Sequence, residues 1–155
     1  MFVEVHIEQE KRLENEGLPC GIVTGIAGPV WIEFTFNGEA GYAGNTPMND
    51  RRDALVAASK FVSELKKLPP HFSKSAVATV GKLYVEPNGV NVIPGKVTLY
   101  VDVRDTFNQS RNELVVAIIS LGKTVAHKHH VEITYEENLR VAATPIAKET
   151  QQFLA

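Results

Sequence analysis

Hydrophobic and polar positions alternate most cleanly at 96–104. There Val97, Leu99, Val101 and Val103 face one way, and Thr98, Tyr100, Asp102 and Arg104 face the other. The same period of two runs through Val30, Ile32, Phe34 and Phe36, interleaved with Trp31, Glu33, Thr35 and Asn37. Residues 76–85 (AVATVGKLYV) and the set Val131, Ile133 and Tyr135 predict two further strands. Between them the period changes. Ala54, Leu55, Ala58, Phe61, Val62 and Leu65 form one face of a helix, which Asn49 or Asp50 could cap and which Pro69 and Pro70 stop. Leu114, Ile118, Leu121 and Val125 form the face of a second helix, opened by Thr106, Asn108 or Ser110.

From residue 30 onward the order is β-α-β-β-α-β. Two helices with one apolar stripe each can cover only one face of a four-stranded antiparallel sheet. The expected fold is therefore α+β, a ferredoxin-like two-layer sandwich. The ends stand outside it. Residues 2–7 (FVEVHI) read as a short strand with no place in such a sheet, and 8–17 as a charged connector, compatible with a helix, closed by Gly17 and Pro19. Thr144 and Pro145 read as the first turn of a helix that stops after Phe153 and Leu154. The boundaries expected are 1–19, 20–138 and 139–155. The pattern favours a piece of a larger protein over a complete one with ragged termini.

Composition narrows the classes. The chain has 155 residues, 44% of them hydrophobic and 22% charged, which is ordinary for a globular domain. A formal net charge of −2 offers nothing for nucleic acid or an anionic membrane, and the apolar runs are too short to span a bilayer. The acidic start predicts no secretory leader. A lone Cys20 allows no internal disulfide, as expected for a cytoplasmic protein.

Several residues could carry chemistry. His6 ends an apolar run and could offer a ring nitrogen to a metal, but zinc needs three or four ligands. His127, His129 and His130 stand where imidazoles favour a helix C-terminus. Gly38, Gly41 and Gly44 lack the strand–turn–helix setting of a dinucleotide site and suit a tight loop instead. Nothing supports a nucleophilic Ser or Cys. Asn91 and Arg104 bracket the strand at 96–104. An arginine fork suits a carboxylate, and an asparagine both donates and accepts; an ion pair of Arg104 with Asp102 or Asp105 is the competing use.

FVEVHIEQ, GEAGYAGNTPMNDRRDAL and EPNGVNVIPGKVTLYVDVRD occur in that order. As a set they resemble the amidase/hydantoinase/carbamoylase branch of the M20 metallopeptidase superfamily, over essentially the whole chain. The resemblance implies a catalytic domain with two divalent metal ions (zinc, manganese, nickel or cobalt) and an inserted ferredoxin-like lid that dimerises. This chain would hold the lid with short flanks of the catalytic domain. The resemblance makes His6 a metal ligand, Gln9 a substrate contact, and Asn91 and Arg104 the grip on the substrate carboxylate, reaching a neighbouring subunit's site. It implies metal-assisted hydrolysis of N-carbamoyl amino acids or ureido acids, a homodimer, and an isolated chain without hydrolase activity.

Tyr42 stands where the family has a histidine that polarises the scissile carbonyl. A phenol can donate a hydrogen bond there but cannot supply an imidazolium charge. Glu10 replaces the glycine after HIEQ, and Asn45 replaces a threonine. The alternative functions are a dimerisation or binding module without catalytic duty, and a fragment of a peptidase-branch enzyme.

Overall fold

The structure, a computed structural model, describes residues 3–154. Four long strands dominate: β1 (Gly28–Asn37), β2 (Val77–Glu86), β3 (Lys96–Asp105) and β4 (Glu132–Arg140). Two helices join them, α1 (Ala54–Leu65) and α2 (Asn108–Lys128). The sheet order is β2-β3-β1-β4 and every neighbour is antiparallel. This is the ferredoxin-like sandwich that the periodicity predicts.

The alternation sorts residues as expected. Val30, Ile32, Phe34 and Phe36 are buried, as are Val97, Leu99, Val101 and Val103 on the partner strand. Phe34 and Phe36 both pack on Phe61 of α1, with ring centroids 5.1 and 5.6 Å away. Ala54, Ala57, Ala58 and Leu65 complete the α1 contact, and Leu114, Ile118 and Val125 supply that of α2. The opposite sheet face carries half-exposed aromatic and charged side chains. Tyr84 stands edge-on to Tyr100 at 6.3 Å, and the Lys82 ammonium lies 5.6 Å from the Tyr100 ring.

Three sequence expectations need correction, and a fourth is narrowed. α1 is capped not by Asn49 or Asp50, which fall in a 3-10 turn at Met48–Asp50, but by Asp53. Its carboxylate accepts the N–H groups of Leu55 and Val56 at 2.9 and 3.1 Å. Of Thr106, Asn108 and Ser110, it is Asn108 that opens α2 as its first residue, after Phe107 and without a side-chain cap. The start of α2 is held by Asp105, which accepts the Phe107 N–H at 3.3 Å and the Ser110 hydroxyl at 2.6 Å. Residues 3–7 form no strand: Val5 and Ile7 are largely exposed, and no neighbouring strand among the described residues satisfies that backbone. Thr144 and Pro145 are extended, as a residue before proline prefers, and the last helix is Lys148–Leu154.

The chain divides into two compact units, Ala27–Thr144 and a smaller one made of the two ends. In the smaller unit a short helix, Arg12–Glu16, is followed by Gly17, and Leu13 N–H donates to the Glu8 carboxylate at 2.9 Å. There too Ile146 N–H donates to the Thr24 carbonyl at 3.0 Å.

Candidate functional site

The loop between β1 and α1 is closed at its neck by backbone contacts. Gly38 N–H donates to the Gly95 carbonyl at 2.8 Å, and Glu39 N–H to the Arg52 carbonyl at 2.8 Å. A Cβ on residue 38 would lie 1.9 Å from that Arg52 oxygen, so only glycine fits. Beyond the neck, Gly41–Tyr42 pair antiparallel with Val92–Ile93, and Ala43 N–H donates to the Asn91 carbonyl at 3.0 Å. These contacts bring Tyr42 and Asn91 together from segments 49 residues apart. Both are exposed. The Tyr42 ring covers Gly44, where a Cβ would meet the ring at 2.7 Å. The Tyr42 carbonyl accepts the Thr46 hydroxyl at 2.9 Å and the Thr46 N–H at 3.2 Å, which turns the chain back on itself.

Arg104 is not part of this group. It pairs with Pro29 and Val77 across the sheet, near the far end of β3. The Asn91 loop leads into β3 at Lys96, eight residues from Arg104 and so ~26 Å away along the strand, at about 3.3 Å per residue. One chain therefore does not place Asn91 and Arg104 on one small carboxylate. Arg104 holds Asp102 side-on, with Nε 3.0 Å and Nη2 2.8 Å from Oδ2. That pair raises the Arg104 pKa and leaves the other edge of the half-exposed fork free for a second anion.

Two buried charged groups lie near the Arg104 end, and sequence reasoning did not single them out as structural centres. Asp105 is fully buried on the core face of β3. Its carboxylate accepts the hydroxyls of Ser73, Ser75 and Ser110 at 2.7, 2.6 and 2.6 Å. Burial raises the Asp105 pKa, but hydrogen bonds from Ser110, Ser75, Ser73 and Phe107 N–H outweigh it and hold the carboxyl below its ordinary value. The strand parity was the available signal: Asp105 follows Val103 by two. Arg111 is buried as well and donates to the carbonyls of Gly28 and Val141.

His6 and Gln9 belong to the smaller unit and are exposed. The His6 Nδ1 is 2.7 Å from the Ile7 carbonyl oxygen. Among the described residues no group of three or more His, Cys, Asp or Glu side chains could hold a metal ion. The described residues therefore bring no metal-ligating cluster to His6. Along α2 and β4, Val116, Ile119, Ser120, Lys123 and Tyr135 line a largely apolar surface groove beside the free edge of β4.

The family model of the peptidase dimerisation domain, of the M20 type, matches residues 24–130. The chain belongs to this family. Over 135 residues it is 43% identical to the N-carbamoyl-L-amino acid amidohydrolase of Geobacillus stearothermophilus, covering 87% of this chain and 33% of that protein. It is 34% identical to the allantoate amidohydrolase of Bacillus subtilis, covering 94% of this chain and 35% of that protein. A solved hydantoinase/carbamoylase family amidase from Burkholderia ambifaria superimposes with a TM-score of 0.92 at 30% identity, covering 96% of this chain and 36% of that one. The M20-type chain spans about a third of the length of the curated relatives it matches.

Proposed function

We propose that this chain is the lid and dimerisation portion, with short flanks at 1–19 and 139–155, of a metal-dependent amidohydrolase. The whole enzyme would hydrolyse a linear C–N bond of N-carbamoyl amino acids or ureido acids. The juxtaposition of Tyr42 and Asn91 carries the reading. Two segments that match the family's substrate-binding motifs meet in one braced loop pair, in a chain whose relatives are named for such substrates. In this reading Tyr42 donates its phenol O–H to the developing oxyanion, and Asn91 holds the substrate's carboxylate end. Arg104 anchors a carboxylate with the open edge of its fork. Because Asn91 and Arg104 occupy opposite ends of β3, each serves a different active site of a dimer. His6 would contribute one metal ligand and Gln9 a substrate contact. The general base and the other metal ligands lie outside the residues described.

The test is turnover of N-carbamoyl amino acids and of allantoate by the longer parent protein, supplied with zinc, manganese, nickel or cobalt. Turnover is expected from the parent and none from the 155-residue chain. A parent inactive on both substrate classes with all four metals would sink the reading. A second reading, dimerisation without catalytic duty, draws on the groove at Val116, Ile119 and Tyr135 beside the free β4 edge, where a second copy could pair strand to strand. Sedimentation at two concentrations tests it; a strictly monomeric chain argues against self-sufficient dimerisation.

A further inference from the structure

The functional loop pair has a brace that the proposed reaction does not itself require. Arg51 lies inside the loop between β1 and α1, partly buried, and among the described residues its guanidinium bonds backbone only. Nε and Nη2 donate to the Thr46 carbonyl at 3.1 and 3.0 Å, and Nη2 also donates to the Ala43 carbonyl at 2.8 Å. Both acceptors adjoin the functional pair. Ala43 follows Tyr42, and its own N–H bonds the Asn91 carbonyl. Thr46 bonds the Tyr42 carbonyl through N–H and hydroxyl alike. The neighbouring Arg52 has a different duty, donating Nε to the His130 carbonyl at 2.8 Å at the neck of the loop.

We infer that Arg51 is a positioning residue that sets Tyr42 and Asn91 in mutual register. The inference rests on the functional reading above, because positioning matters only if those two side chains meet a substrate. The physics favours arginine. A planar fork spans two carbonyls at once, whereas a lysine ammonium is a point donor on a flexible stem. Without it, two carbonyls lose their donors, and Tyr42 is held only by its own turn and the short pairing with Val92.

Amide hydrogen exchange on the 155-residue chain reads the brace directly. In R51A the Ala43 and Thr46 amides exchange about 10-fold faster while those of β1 and β3 keep their rates, and R51K restores less than half of the protection. Unchanged exchange at Ala43, or a uniform acceleration through the sheet, overturns the proposal. In the parent enzyme a double-mutant cycle reads the positioning. Y42F costs about 100-fold in kcat in the wild-type background and about 10-fold or less in R51A, because the phenol is already misplaced. Additive costs overturn the proposal. A wild-type parent without turnover overturns the amidohydrolase reading and with it the positioning of Tyr42 for that reaction, and the exchange measurement still decides whether Arg51 braces the loop.

Discussion

At the Lys96 end of β3, a half-buried arginine bonds backbone so that Tyr42 and Asn91 stay exposed in a fixed loop. At the Arg104 end the division is reversed. Asp105 and Arg111 are buried and fully committed to neighbouring hydroxyls and carbonyls, and the nearby exposed Arg104 holds only Asp102 and keeps one edge open. The ends therefore differ in where stability and ligand chemistry sit. At the loop end both depend on one short segment. At the Arg104 end they are divided between two faces of one strand, so a substitution can remove one without the other.

The largest expected effect is at the buried face. Asp105→Ala strips the acceptor from three hydroxyls and one N–H, and should destabilise the chain by about 3 kcal/mol in urea titration. Loss of less than about 1 kcal/mol would mean that this end is not structurally committed. The sign with pH follows from the lowered pKa. The ionised carboxylate stabilises the fold above the unfolded-chain value near 4, and that contribution is lost as pH falls toward the folded value. Asp105→Asn should flatten the stability curve in that acid range, measured by urea midpoints at successive pH values.

Next in size, Tyr42→Phe in the parent should lower kcat by about 100-fold and leave chain stability within about 0.5 kcal/mol. Equal kcat would remove the phenol from the reaction. Arg104→Ala should raise the parent's KM by about 30-fold through the lost carboxylate grip. The smallest effect sharpens the contrast. The same Arg104→Ala should change thermal stability by less than about 0.5 kcal/mol, because a half-exposed ion pair contributes little. A large loss would place Arg104 among the structural groups.

Most of this architecture is legible in side-chain parity. Positions 30–36 and 97–103 announce two central strands because each buries one complete face. Parity also marks Asp105 as inward, yet a carboxylate after an arginine reads naturally as a surface ion pair. Three serine hydroxyls, two of them from a segment 30 or more residues away, and the Phe107 N–H make its burial tolerable. The cap of α1 was less legible, since Asn49, Asp50 and Asp53 all have suitable side chains and the 3-10 turn after Pro47 decides among them. The apolar run at 2–7 misleads for another reason: alternation describes what a strand would bury, not whether a partner is present. Asn91 and Arg104 were legible as candidates at the two borders of β3; the meeting of Asn91 with Tyr42 was not, because it depends on a two-residue pairing between segments far apart in the chain.

In the proposed dimer, the separation of Asn91 from Arg104 would make the two sites genetically separable. If every site takes Asn91 from one chain and Arg104 from the other, N91A and R104A homodimers are both defective at both sites. A mixed dimer then carries one doubly defective site and one wholly normal one. Coexpressing the two defective alleles would restore about a quarter of wild-type activity when the subunits assort at random. Each allele would rescue the other without any single chain being repaired.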